Sequence, residues 1–148
     1  MTHRSGSYMA ATLALVASAA LALAAQTAPP EGKGAQIDES KLDKRTRPVV
    51  CAASQTITLD NVLLDIPEAA IQATGGCKVT IRNSHVKSAA PLQLTGSAAA
   101  TIENSLIEGA VAIQMTDGAT ASIKSSTIRG RIERSGARLT DLGDNKWK

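Results

Sequence analysis

From residue 59 onward the chain repeats itself every 21 or 22 residues, and that period restricts its fold more than any other feature. Ile81, Ile102 and Ile123 are each 21 apart, as are Val86, Ile107 and Ile128, the set Ile71, Leu92 and Ile113, and the set Thr74, Thr95 and Thr116. An earlier unit joins with one extra residue: Leu59 to Ile81, Asn61 to Asn83 and Leu64 to Val86 are each 22. The insertion falls between Leu64 and Ile71, where Pro67 marks a turn. Agreement of many columns on one period is the signature of a chain built from stacked supersecondary units.

Within each unit the pattern has period two. Val79-Thr80-Ile81 and Ala100-Thr101-Ile102 read in-out-in, as do Leu92-Gln93-Leu94 and Ile113-Gln114-Met115. Asn83 or Asn104 then breaks the strand, since Asn tolerates the left-handed backbone that a tight bend needs. No room remains for a crossover helix, so each strand must lie parallel on its counterpart in the next coil. At about 3.3 Å per residue one coil has a perimeter of about 70 Å, enough for three short strands and three turns. Six-residue left-handed solenoids do not divide 21, and parallel connections favour the right hand. The Leu-x-x-Leu-x-Leu strand of leucine-rich repeats is absent. The chain has no Phe, one Tyr and one Trp, so its core must be aliphatic, which suits thin stacked layers. The expected fold is all-β: a short right-handed parallel β-helix of about four coils over residues 49–148.

The outward columns are ordered too. Asp60, Arg82, Glu103 and Lys124 precede the turn, and Asp65, Lys87, Glu108 and Arg129 follow it, both alternating in sign. Stacked residues lie about 4.8 Å apart, so each charge sits between opposite charges and a slip of one coil is penalised. Single exposed pairs contribute only about 0–1 kcal/mol, but a column of them selects a register. Thr58, Thr80, Thr101 and Ser122 form a hydroxyl column, and Gln72, Gln93 and Gln114 an amide column. These are ladder-forming positions, and together they make the flat polar face that is the candidate binding surface. The mixed flanking column of Thr56, Lys78, Ala99 and Thr120 argues against an ice-binding array.

The segments Val79-Thr80-Ile81-Arg82-Asn83-Ser84, Ala100-Thr101-Ile102-Glu103-Asn104-Ser105 and Ala121-Ser122-Ile123-Lys124-Ser125-Ser126 resemble the strand and turn-Asn ladder of the pectin-lyase-like superfamily. The resemblance spans residues 49–147 and implies the fold. It leaves function open, because enzymes, adhesins and inert scaffolds share that architecture.

Ahead of the repeat, Arg4, the apolar run of residues 9–25 and the Ala22-Leu23-Ala24 site form a three-part secretory signal over residues 1–24. The run is shorter and more weakly apolar than a spanning helix needs, so the mature chain is expected to hold no stable membrane span. Residues 25–48 read as a Pro-, Gly- and charge-rich linker. Residues 38–45 suit one or two helical turns over the first coil, with an unordered tether as the alternative. An exported chain with two cysteines usually pairs them. If Val49 takes the column of Ile71, Cys51 falls on Ala73, and Cys51 and Cys77 flank one turn in neighbouring coils.

Two histidines and no Cys-x-x-Cys argue against a metal or thiol-redox centre, and no cofactor is expected. A net charge of +3 with interspersed acids lacks the one-sided basic patch of nucleic-acid binding. Uniform turns supply no long loop for a cleft. Asp60, Asp65, Glu103 and Glu108 stack between basic neighbours, so none is set up as the acid that acid–base catalysis needs. His85, in the column of Leu63, Leu106 and Thr127, is expected at the surface. The coil starting near Arg131, shortened by two residues, is expected to bring Leu142 under Ile123, Asp144 under Ser125 and Trp147 under Ile128, closing the core. These readings lead to a non-enzymatic exported scaffold or binding module. Its place is periplasmic or extracellular, and its partner an envelope polysaccharide or another protein. An accessory or degenerate polysaccharide lyase or hydrolase is the alternative.

Overall fold

The computed structural model describes residues 32–148; the signal-peptide reading of residues 1–24 lies outside them. The chain winds into a parallel β-solenoid of five coils, one more than the four expected. After a 3-10 turn at Glu39–Lys41, β1 is Asp43–Arg45. The first coil is β2 (Val49–Cys51), β3 (Thr56–Asp60) and β4 (Val62–Asp65). The second is β5 (Ala69–Ala73), β6 (Lys78–Arg82) and β7 (His85–Lys87). In the third, β8 (Ala90–Leu94) and β9 (Ala99–Glu103) lead into β10 (Leu106–Thr116), which rounds a corner into the fourth coil. There β11 (Thr120–Lys124) leads into β12 (Thr127–Ser135), which likewise passes into the fifth coil, completed by β13 (Arg138–Asp141) and β14 (Lys146–Trp147). Because β10 and β12 turn corners unbroken, two faces join as one nine-stranded sheet; β3, β6, β9, β11 and β13 form a separate five-stranded sheet. Among the described residues no helix is long and apolar enough to cross a membrane.

The registers follow the repeat. Leu59, Ile81, Ile102 and Ile123 pair in succession, as do Leu64, Val86, Ile107 and Ile128. Both columns are buried, with Ile71, Leu92 and Ile113 beside them. Val49 pairs with Ile71 and Cys51 with Ala73. The Cys51–Cys77 disulfide ties the first coil to the second inside the core.

Each bend after the five-stranded sheet holds a non-glycine left-handed residue: Asn61, Asn83, Asn104, Ser125 and Asp144, with φ of 54°, 47°, 44°, 49° and 57°, the last preceded by Gly143 at 99°. The next position was not singled out from the sequence, yet it carries the buried polar spine. Ser84, Ser105 and Ser126 are fully buried. Ser84 N donates to Ser105 Oγ (3.2 Å), Ser105 N to Ser126 Oγ (3.2 Å) and Ser126 N to Asn145 Oδ1 (2.8 Å). Each side chain thus pairs an amide that the bend would otherwise leave orphaned.

The last coil departs from expectation. Asp141, not Leu142, pairs with Ile123, a step of 18 residues, and Leu142 is 52% exposed. The step returns to 19 where Ile128 pairs with Trp147. Aspartate thereby occupies an inward column, where its carboxylate accepts from Asn145 Nδ2 (2.6 Å) while that side chain reaches into the serine spine. Trp147 takes its expected place but stays 37% exposed, as a side chain in a terminal layer must when nothing stacks beyond it.

Residues 32–48 are held against the coils, and the helical turns expected over residues 38–45 take the form of the single 3-10 turn of Glu39–Lys41. Gly32 N and Gly34 N donate to Asn145 O and Asp144 O in the fifth coil (both 3.1 Å), and Thr127 Oγ1 donates to Ala35 O (3.3 Å). Glu39 reaches His85 in the second coil, and β1 adds in parallel to β4 of the first. The segment is a strap laid across the coils from the last to the first. Asp38 caps its 3-10 turn: Ser40 Oγ (2.6 Å) and Ser40 N (3.2 Å) donate to the Asp38 carboxylate, which they hold below the usual value for aspartate.

Candidate functional site

The corner between the β4–β7–β10 face and the β5–β8 face holds an open groove of about 520 Å³. Four stacked turns line it, with Asp65, Lys87, Glu108 and Arg129 along it and Ser88, Ala89, Gly109 and Gly130 as small residues beneath. Short, uniform turns therefore do build a concave surface, contrary to the reading from loop length. The cause is steric. A Cβ at Gly109 would collide with the Ser88 carbonyl and the Pro91 ring, and one at Gly130 (φ 128°) with the Gly109 carbonyl. Glycine lets successive corners nest in direct backbone contact, and the groove runs over these nested corners.

The charges along it stack in the expected order, Asp65 on Lys87, Lys87 on Glu108, Glu108 on Arg129. Only part of the column closes into ion pairs: Arg129 donates to Glu108 Oε2 at 3.4 Å. In the column before the turn, Arg82 and Glu103 approach to 3.8 Å, while Asp60 accepts instead from Asn83 Nδ2 (2.9 Å), and Asn104 Nδ2 donates to Asn83 Oδ1 (2.8 Å). An amide ladder supplies part of the register selection assigned to charge.

His85 is the largest departure from the sequence reading. Its column does face outward, but its side chain is only 4% exposed because the strap lies over it. His85 Nδ1 is 2.7 Å from Glu39 Oε1 on the strap, and Nε2 is 3.5 Å from Glu108 Oε2 on the groove. Two carboxylates thus face one imidazole, and Glu108 lies between His85 and Arg129, although His85 Nε2 makes no hydrogen bond among the described residues. Nothing in the local sequence signals the contact, since Glu39 and His85 are 46 residues apart.

The candidate polar face splits in two. Thr58, Thr80, Thr101 and Ser122 stack in register on the five-stranded sheet, continued by Thr140. Gln72, Gln93 and Gln114 stack on the other sheet, where Gln93 Nε2 donates to Gln114 Oε1 at 3.3 Å. The hydroxyl and amide columns belong to different sheets, so they do not form one continuous surface. The groove lies at the corner leading into the amide column, and sequence reasoning missed it because its defining residues are small and unremarkable singly. The chain matches no protein-family model, no curated protein and no solved structure.

Proposed function

We propose that the chain is an exported, non-catalytic binding module of the cell envelope, and that the corner groove holds an extended, hydroxyl-rich polysaccharide segment, another protein being the alternative partner. The observation that carries this reading is the groove itself: four stacked turns present a repeating row of charged donors and acceptors above a floor of small residues. Coil spacing makes that row roughly 14 Å long, and its rungs are periodic as a polymer is periodic. Paired charges suit hydroxyl groups, which donate and accept, better than a polyanion. The Gln column beside it extends the polar surface, with Gln93 and Gln114 already oriented by their mutual bond. The non-catalytic reading rests on Glu108, whose carboxylate is engaged by Arg129 and faces His85.

Export to the periplasm or cell surface is supported by the disulfide, which persists in oxidising compartments, and by the secretory pattern of residues 1–24. The pectin-lyase-like affinity is part of the same proposal and rests on the strand-and-Asn pattern. Glu39, His85 and Glu108 on one side of the groove favour the alternative, a degenerate or accessory polysaccharide lyase or hydrolase. Purified protein on an array of envelope and plant-wall glycans distinguishes these. Binding that Lys87→Ala and Arg129→Ala both weaken supports the module, and release of reducing ends or unsaturated uronate supports the alternative. Binding that ignores both substitutions removes the groove from the proposal. N-terminal sequencing of exported protein is expected to begin near Ala25, and an intact Met1 would refute cleavage.

A further inference from the structure

The two ends of the solenoid are finished differently. At the C-terminal end two inward columns stop in charge, Arg134 on Met115 and Asp141 on Ile123, while Ile132, Leu139 and Trp147 end their neighbours. Inward-pointing charge blocks continued strand addition. At the N-terminal end β1 covers only β4. The strands β2 and β3 terminate their sheets with one neighbour each, β5 and β6. Apolar residues stand at that edge: Val49 and Ile57 are only partly buried, and Val50 is 63% exposed. Thr74 N donates to Cys51 O (2.9 Å), so the alternation of a strand turns the N–H and C=O of Val50 away from β5 toward the open side.

Basic residues flank this edge. The turn from β1 into β2 encloses a shallow cavity of about 380 Å³ lined by Lys44, Arg45, Thr46, Arg47, Pro48 and Val49. Arg45 is paired with Asp43 (3.3 Å), while the exposed Lys44 and Arg47 stand free of any ion pair among the described residues. The geometry points to β2 as a docking edge for an extended acidic segment of another chain. That segment adds as a strand against Val50 and places its carboxylates on Lys44 and Arg47. Charge excludes the other occupants. A second copy brings the same basic turn with its N-terminal end, or with its C-terminal end a coil in which Arg131, Arg134, Arg138, Lys146 and Lys148 outnumber Glu133, Asp141 and Asp144. Residues 1–31 contain a single acid, Glu31, and it directly precedes Gly32, which is bonded to the fifth coil.

The test uses the protein of residues 25–148 and two fluorescein-labelled decapeptides, one alternating Thr and Glu, the other Thr and Lys, read by anisotropy at low salt. The Thr/Glu peptide is expected to bind at least about tenfold more tightly, with the advantage falling as salt rises. Lys44→Glu with Arg47→Glu, both exposed and remote from the core, should reverse the preference. Val50→Pro removes only an outward N–H, so it should abolish binding while the melting temperature holds, as edge prolines allow. Hydrogen exchange at the Val50 amide should slow on binding. Equal binding of both peptides, no binding of either, binding indifferent to Val50→Pro, or a dimer by light scattering without peptide would each overturn the assignment.

Discussion

Replacing Ser105 with Ala tests whether the buried serine spine holds the coils in place. The Ser105 hydroxyl accepts from Ser84 N at 3.2 Å and donates to Glu103 O at 2.7 Å, and the residue is fully buried. Glu103 O keeps a second partner, Asn83 N at 3.2 Å, so losing the hydroxyl costs it little. Ser84 N has no such reserve. Left unpaired in the core, an amide costs about 1–3 kcal/mol, and the lost donor bond adds about 1 kcal/mol. The space vacated is one hydroxyl, too small for a bridging water. The expected destabilisation is about 2–4 kcal/mol. Thr101→Ala, in the outward column four residues earlier on the same coil, should cost about 1 kcal/mol or less. Urea unfolding followed by far-ultraviolet circular dichroism gives both values. Following Trp147 emission in the same titration tells whether the fifth coil melts with the rest. If Ser105→Ala costs no more than Thr101→Ala, the spine is incidental and the apolar columns alone set the register.

Further perturbations probe the other devices. Gly130→Ala should destabilise by at least about 2 kcal/mol, because both its φ of 128° and the Gly109 carbonyl oppose a Cβ; an unchanged melting temperature would mean that the corner yields. Reducing Cys51–Cys77, which closes a loop of 26 residues, should cost about 3.5 kcal/mol, read as a shift in urea midpoint between oxidised protein and the double Ser variant. Glu39→Gln should speed hydrogen exchange across residues 35–45 while leaving the core amides unchanged; uniform exchange in both proteins would show that the strap is held without the histidine. The depressed Asp38 carboxyl makes its cap fully effective above the usual aspartate range and weakens it as pH falls through the lowered value, so amide protection at Ser40 should decline only in acid and be absent in Asp38→Ala.

What was legible in the sequence follows from how a solenoid is made. A residue's neighbours are the residues one coil away, so a period of 21 converts directly into contacts: Ile81 on Ile102, Thr80 on Thr101, Gln93 on Gln114, and Cys51 on Ala73. The serine spine was equally periodic. It went unassigned because period alone does not separate a polar residue facing water from one turned inward at a bend. The groove escaped for a related reason: concavity is set by how closely the corners stack, and Gly109 and Gly130 mark it only once the corner geometry is known.

The repeat thus determined the coil, its parallel registers, its inward and outward columns and the disulfide, since all of these depend on local alternation and a fixed return length. Tertiary structure alone decided whatever the period does not reach. Residues 32–48 have no counterpart in the repeat, so nothing in them signals that they cross the solenoid and meet partners as distant as Thr127, 92 residues from Ala35. That crossing buries His85 between Glu39 and Glu108, although its column does face outward. The last coil is settled in the same way. With no further layer to match, its return shortens to 18 residues at Ile123 and 19 at Ile128, and the balance of ending the core, capping the spine with Asn145 and seating Trp147 fixes which side chain turns inward. Burial there is a property of what covers a surface, and the covering comes from outside the pattern.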